Sequence, residues 1–137
     1  MASFLPSLKK IRQLTTQYGI YQHGEFDQPN PSFGYALEDQ ARALIVAHEL
    51  EAKDLEKIYL NFIIKAQGKN FLLNQYFYED QRGFVEDITP TTVLDRQEAY
   101  GITLWALFAT NHYKDKAIKP LIERLCKNAY LWVSPRA

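Results

Sequence analysis

Two adjacent carboxylates and an arginine stand where a loop runs into a helical segment. The stretch Gly34–Leu44 passes from a loop rich in Pro, Gly and Asn into an Ala-rich helix, with Glu38 and Asp39 at the junction and Arg42 one turn later. A helix N-terminus carries unsatisfied N–H groups and a partial positive charge, so acids there are stabilised without a ligand. The same acids could accept hydrogen bonds from a polyhydroxylated ligand, or act as acid and base. The residues leave both interpretations open.

A weaker junction of the same kind follows later in the chain. Leu104 aligns with Leu44 at an offset of 60 residues, and Asp95 and Glu98 stand in the first turns of this second helix. In both copies an amphipathic helix and a glycine come first, followed by a long aromatic and polar loop. Helix pairs that recur at a fixed period are typical of solenoids and closed toroids.

Hydrophobic periodicity predicts five helices, at residues 3–18, 37–52, 54–68, 93–110 and 114–130. Within the second and fourth, residues 41–47 and 99–109 are almost free of charge apart from Arg42, so these two are predicted to be buried inner helices, whereas the others face solvent. The two long loops, 19–36 and 69–92, should lie at one end because each leads into an inner helix. Within the second loop, residues 71–78 suit a strand as well as a buried loop.

Composition restricts the class of protein. The 137 residues suit one domain, and 16 basic residues balance 16 acidic ones, so there is no overall basic surface for nucleic acid. No signal peptide or membrane-spanning run is found, which predicts a cytoplasmic protein without a membrane partner. His48 and His112 are not spaced with an acid as metal ligands are, and no nucleotide motif occurs, so neither a metal nor a cofactor is expected.

The junctions also carry a resemblance to a known family. Gly19-Ile20-Tyr21-Gln22-His23 and the stretch Gly34–Leu44 resemble the two motifs of the six-hairpin glycosidase-like alpha/alpha toroids, in particular proteins found beside bacterial and archaeal glycosyltransferases. The stretch from Glu98 to Leu107 is similar to the family's second inner helix. Gln40 stands where the family tends to have Asn, and Ile102 stands where it has Arg. The similarity covers only the first part of the family's domain.

The resemblance implies an all-α fold of antiparallel helical hairpins that form an incomplete ring, as a single domain over residues 1–137. It implies a carbohydrate-active domain, glycosidase-like or phosphorylase-like, that binds a sugar at the N-termini of the inner helices. The catalytic candidates are Asp39, Glu38 and Glu98, and the ligand-binding candidates are Tyr35, Arg42, His23 and Gln22. Hydrolysis needs two carboxyl groups about 5–9 Å apart.

An alternative interpretation is a non-catalytic helical-repeat module that binds glycan or protein. An open ring should expose an apolar face, so we expect self-association or docking of a further helical segment. The expected contributors are Trp132, Val133 and the stripe of Ile118, Leu121 and Leu125.

Overall fold

Five α-helices and five short β-strands make up the part of the chain that the computed structural model describes, residues 7–22, 24–25, 28–68, 73–85 and 90–133. The helices are α1 (Lys9–Leu14), α2 (Leu37–Glu49), α3 (Lys53–Lys65), α4 (Pro90–Ala109) and α5 (Lys119–Val133). The strands are β1 (Gly24–Glu25), β2 (Gln28–Pro29), β3 (Tyr35–Ala36), β4 (Tyr76–Tyr78) and β5 (Gly83–Val85).

The predicted all-α toroid is wrong, because the two long loops contain sheet. Strands β3, β4 and β5 form an antiparallel sheet in that order, and β1 pairs with β2 in a separate ribbon. In the larger sheet Tyr35 lies opposite Phe77, and Phe77 lies opposite Phe84. Aromatic residues favour strands. The three rings pack beside Phe62 of α3, which fixes the sheet on that helix.

Helices α2 and α4 lie side by side and run in the same direction, with α3 antiparallel to both. In the first half of α2, Arg42 reaches Glu98 of α4. At the other end, His48 in the last turn of α2 and His112 just after α4 both contact Glu56 in the first turn of α3. The starts of α2 and α4, and the described parts of the loops that precede them, therefore lie at the same end of the molecule.

The loop before α2 is held down by a buried amide. Gln40 of α2 is fully buried, and its side chain accepts a hydrogen bond from the backbone N–H of Ile20 at 2.8 Å. It also donates to the carbonyl of Ile20 at 2.8 Å and to that of Ala36 at 3.0 Å. This pairing satisfies the buried amide and fixes the loop against the start of α2.

Two helix boundaries differ from the predicted ones. Helix α1 ends at Leu14 rather than near Tyr18, because Thr15 is extended and its hydroxyl bonds instead to the carbonyl of Ile11 and to Tyr59. Helix α5 begins at Lys119, which places Pro120 in its first turn. Proline is tolerated there because the first helical N–H groups have no intrahelical partner.

Burial also differs from the prediction. Ile118, Leu121 and Leu125 are covered by the chain itself, so this stripe is not the exposed apolar face that we expected. The side chains of Trp132 and Val133 lie outside the described part. On α4, which was predicted to be buried all round, the exposed fraction of Trp105 is 63% and that of Phe108 is 47%. Within the described residues, none of the helices combines the length and apolarity needed to cross a bilayer.

Candidate functional site

The larger sheet positions the start of α2. Strand β3 runs directly into the helix, and the N–H of Leu37 donates to the carbonyl of Gln75, just before β4, at 2.8 Å. The N-cap residue is Ala36, which makes no side-chain cap. Glu38 and Asp39 are therefore not N-caps. They lie in the first turn, where a carboxylate interacts favourably with the helix dipole.

Arg42 brings all three predicted catalytic acids together. Its Nη2 lies 3.3 Å from Glu38 Oε2 and 3.5 Å from Glu98 Oε1, and its Nη1 lies 3.5 Å from Asp39 Oδ1. We call these four side chains the Arg42 cluster. The contacts are longer than the roughly 2.7–2.9 Å of a strong charge-assisted hydrogen bond. All four side chains are partly exposed, so the cluster can exchange its contacts with a ligand.

A cavity of about 210 Å³ opens beside the Arg42 cluster. Its wall combines the acids Glu38 and Glu98 with Gln75 and Tyr76. Gln75 is only 4% exposed, and its Oε1 is buried without a hydrogen-bond partner among the described residues. Leaving a buried acceptor unsatisfied costs about 1–3 kcal/mol, so a hydrogen-bond donor that reached this oxygen would stabilise the site. We call this space the acidic cavity.

A second cavity, of about 520 Å³, shares Tyr76 as a lining residue. Its remaining lining residues come from both long loops: Gln22, Ser32, Phe33, Tyr78, Arg82 and Val85. Arg82 is fixed by two groups, because it donates to Asp80 and lies 3.6 Å from the centre of the Tyr78 ring. We call this space the loop cavity. Tyr76 is the residue that lines both cavities.

Tyr35 lies beneath the site rather than in it. It is fully buried, stacks on Tyr21 with ring centres 4.5 Å apart, and donates with Tyr21 to the carboxylate of Glu79. Burial and the bond to Glu79 raise the pKa of Tyr35, and the bonds from Tyr21 and Tyr35 lower the pKa of Glu79. A ring without exposed surface cannot stack on a ligand, so we do not retain Tyr35 as a ligand-binding residue.

A second charged cluster lies at the other end of α2. Glu56 Oε1 accepts from His48 Nδ1 at 2.9 Å and from His112 Nε2 at 2.8 Å, and Lys53 Nζ lies 3.4 Å from Glu56 Oε2. We call it the Glu56 cluster. Glu56 is buried, and burial alone would raise its pKa. The bonds from His48 and His112 and the charge of Lys53 outweigh that effect, so the pKa of Glu56 lies below its ordinary value.

The predicted site residues that the structure describes thus lie at the acidic cavity, in the loop cavity and, for Tyr35, in the core. Glu38 and Glu98 line the acidic cavity, and Asp39 and Arg42 adjoin it through the Arg42 cluster, while Gln22 lines the loop cavity. His23 lies outside the described residues. The sequence did not indicate Gln75, because its burial depends on the sheet. Among the described residues there is no group of three His, Cys, Asp or Glu side chains able to hold a metal ion.

Comparison with models of protein families, with curated proteins and with solved structures gives no match.

Proposed function

We propose that this chain binds a carbohydrate in the acidic cavity, at the start of α2. The observation that carries the proposal is the convergence of three carboxylates on Arg42 beside a cavity that is also lined by Gln75, whose Oε1 has no hydrogen-bond partner among the described residues. Such a wall is rich in hydrogen-bond acceptors, and sugar hydroxyls are donors that can satisfy several acceptors at once. Arg42 holds the acids in place and donates to hydroxyl oxygens.

Hydrolysis of a glycosidic bond is a second candidate, because two of the acids meet at one nitrogen of Arg42. Glu38 Oε2 and Glu98 Oε1 both lie within 3.5 Å of one nitrogen of Arg42, so they are no more than about 7 Å apart. That separation is compatible with the roughly 5–9.5 Å between the carboxyl groups of glycosidases. A general acid, however, usually lies in apolar surroundings that keep its proton on at neutral pH. Glu98 is 63% exposed and adjacent to a guanidinium, so binding is the stronger proposal.

A glycan array tests binding. We expect the wild-type chain to retain a defined set of saccharides, and Asp39→Asn to lower the affinity for them about tenfold or more, since each hydrogen bond to a charged group contributes about 1.5–3 kcal/mol. Because Asn keeps the shape of Asp, the melting temperature should change little. Glu38→Gln and Glu98→Gln on the same saccharides test hydrolysis, with release of reducing ends as the readout.

Arg12→Ala is the matched control for Arg42→Ala. The two arginine side chains are 48% and 49% exposed, but Arg12 pairs with Asp54 of α3, away from both cavities. We expect Arg42→Ala to lose binding and Arg12→Ala to retain it. If no saccharide binds the wild-type chain, or if both arginine variants bind as the wild type does, the proposal is wrong.

A further inference from the structure

The two cavities adjoin at one residue and differ in size. The acidic cavity, at about 210 Å³, is smaller than the roughly 300–1,000 Å³ that is typical of small-molecule sites. The loop cavity, at about 520 Å³, is within that range. A ligand of one sugar ring would fill the first and leave the second unused. A longer ligand would pass Tyr76 and occupy both.

The loop cavity has the surface that a second sugar unit requires. Phe33 contributes an aromatic side chain that is 45% exposed, and Gln22 and Ser32 contribute polar groups. Phe33 is held in a short 3-10 turn, because Asn30 Oδ1 accepts from the N–H of Ser32 at 3.0 Å and from its hydroxyl at 2.6 Å. A pyranose presents an apolar face of C–H groups and an edge of hydroxyls, which suits an aromatic side chain flanked by polar groups.

Charge restricts the ligand further. In the Arg42 cluster three carboxylates face one guanidinium, a formal charge of −2. In the loop cavity the charge of Arg82 is already neutralised by Asp80 at 2.7 Å. An anionic ligand would be repelled by the acids beside the first cavity, and Arg82, the arginine among the described lining residues of the second, is already paired. The cavities therefore favour a ligand without negative charge.

We propose that the ligand is a neutral oligosaccharide of at least two sugar units that extends across Tyr76, with one unit in the acidic cavity and the next against Phe33 in the loop cavity. This proposal rests on the proposed function, since it takes saccharide binding in the acidic cavity as given. It adds a minimum chain length, a charge class and a second set of binding residues.

Titration calorimetry with oligosaccharide series tests the proposal. The probes are neutral homo-oligosaccharides of glucose, mannose, galactose and N-acetylglucosamine, from one to four units, with galacturonic acid oligomers as the acidic series. We expect at least one neutral series to bind about tenfold more tightly as the trimer than as the monomer, and the acidic series not to bind. Phe33→Ala should remove the gain with chain length and leave the affinity for the monosaccharide unchanged.

Phe108→Ala is the matched control, because Phe108 is 47% exposed and lines neither cavity. It should bind every probe as the wild type does. Equal affinity for monomer and trimer, preference for the acidic series, or an unchanged chain-length effect in Phe33→Ala would overturn this inference while leaving saccharide binding intact. If no probe binds, the proposed function fails, and this inference fails with it.

Discussion

The two charged clusters of α2 are opposite in composition and in surroundings. In the Arg42 cluster one guanidinium lies 3.3–3.5 Å from three carboxylates, and all four side chains are partly exposed. In the Glu56 cluster one buried carboxylate contacts three basic side chains, and its hydrogen bonds from the two histidines are 2.8 and 2.9 Å long. The short contacts and the burial indicate a structural tie between α2, α3 and the turn after α4. The long contacts and the exposure indicate groups that can exchange partners.

The largest expected effect is on the Glu56 cluster. Glu56→Ala removes the carboxylate on which His48 and His112 converge and leaves Lys53 without that partner. Loss of hydrogen bonds to a buried charged group typically costs about 1.5–3 kcal/mol, and the bonds lost here are those of the two histidines, since Lys53 is exposed. We expect the free energy of unfolding in urea to fall by that amount, measured by circular dichroism. A fall no larger than that of Arg42→Ala would remove the proposed difference between the two clusters.

Acid should weaken the Glu56 cluster in a defined pH range. Because the folded-state pKa of Glu56 lies below its ordinary value of 4.5, its contribution to stability is complete above that pH and is lost as the pH falls through the folded-state pKa. Urea unfolding from pH 7 to pH 3 should therefore show a decline below about pH 4.5 that is shallower in Glu56→Gln. Parallel curves for the two proteins would contradict the assignment.

Arg42→Ala should have a smaller effect on stability. Exposed ion pairs contribute about 0–1 kcal/mol, so the free energy of unfolding should change by no more than that. The variant leaves three carboxylates close together, and their repulsion is screened by salt. We expect 1 M NaCl to stabilise Arg42→Ala more than Arg12→Ala, measured as the shift in melting temperature. An equal shift would mean that the acids separate when the arginine is removed.

The smallest effect on stability is expected at Trp105, which lies on α4 between the two clusters. An exposed side chain contributes within about 0.5 kcal/mol to folding, so Trp105→Ser should unfold like the wild type. Since the stripe on α5 is covered, we expect the predicted self-association to involve Trp105 instead. Sedimentation should show an assembly for the wild type and for Phe33→Ser, but a monomer for Trp105→Ser. A monomeric wild type would contradict that expectation.

The helices could be predicted from sequence to a useful degree. The boundaries of α2 and α3 fall within a few residues of the predicted ones, because a period of 3.6 persists over several turns. The sheet could not be predicted in the same way. Strands of two or three residues are too short for alternation, and Tyr35 pairs with Phe77, which lies far along the chain. The aromatic stretch before residue 79 was the only local signal.

The site was predictable where it depends on the repeat. Two copies of one junction indicated that Glu38 and Glu98 would share an end of the molecule, and they do meet at Arg42. The sequence predicts that Tyr35 binds the ligand only because it precedes the acids, but the pairing of β3 with β4 buries its ring. The burial of Gln75, whose Oε1 has no hydrogen-bond partner among the described residues, depends on the same pairing of strands. Contacts between segments that are distant in sequence decide which of these side chains are buried, and such contacts cannot be predicted from a single sequence.

The buried amide of Gln40 also restricts how this sequence can diverge. Gly19 packs so closely on it that a Cβ at position 19 would collide with the side-chain oxygen of Gln40 and crowd Phe62. A side chain at position 19 therefore requires a smaller residue at position 40. Among descendants of this chain, positions 19 and 40 should covary. A lineage that shortens Gln40 to Asn would relieve the crowding at position 19 and would give up part of the hold on Ile20, but the backbone of Gly19, at φ +159°, would still disfavour a side chain there.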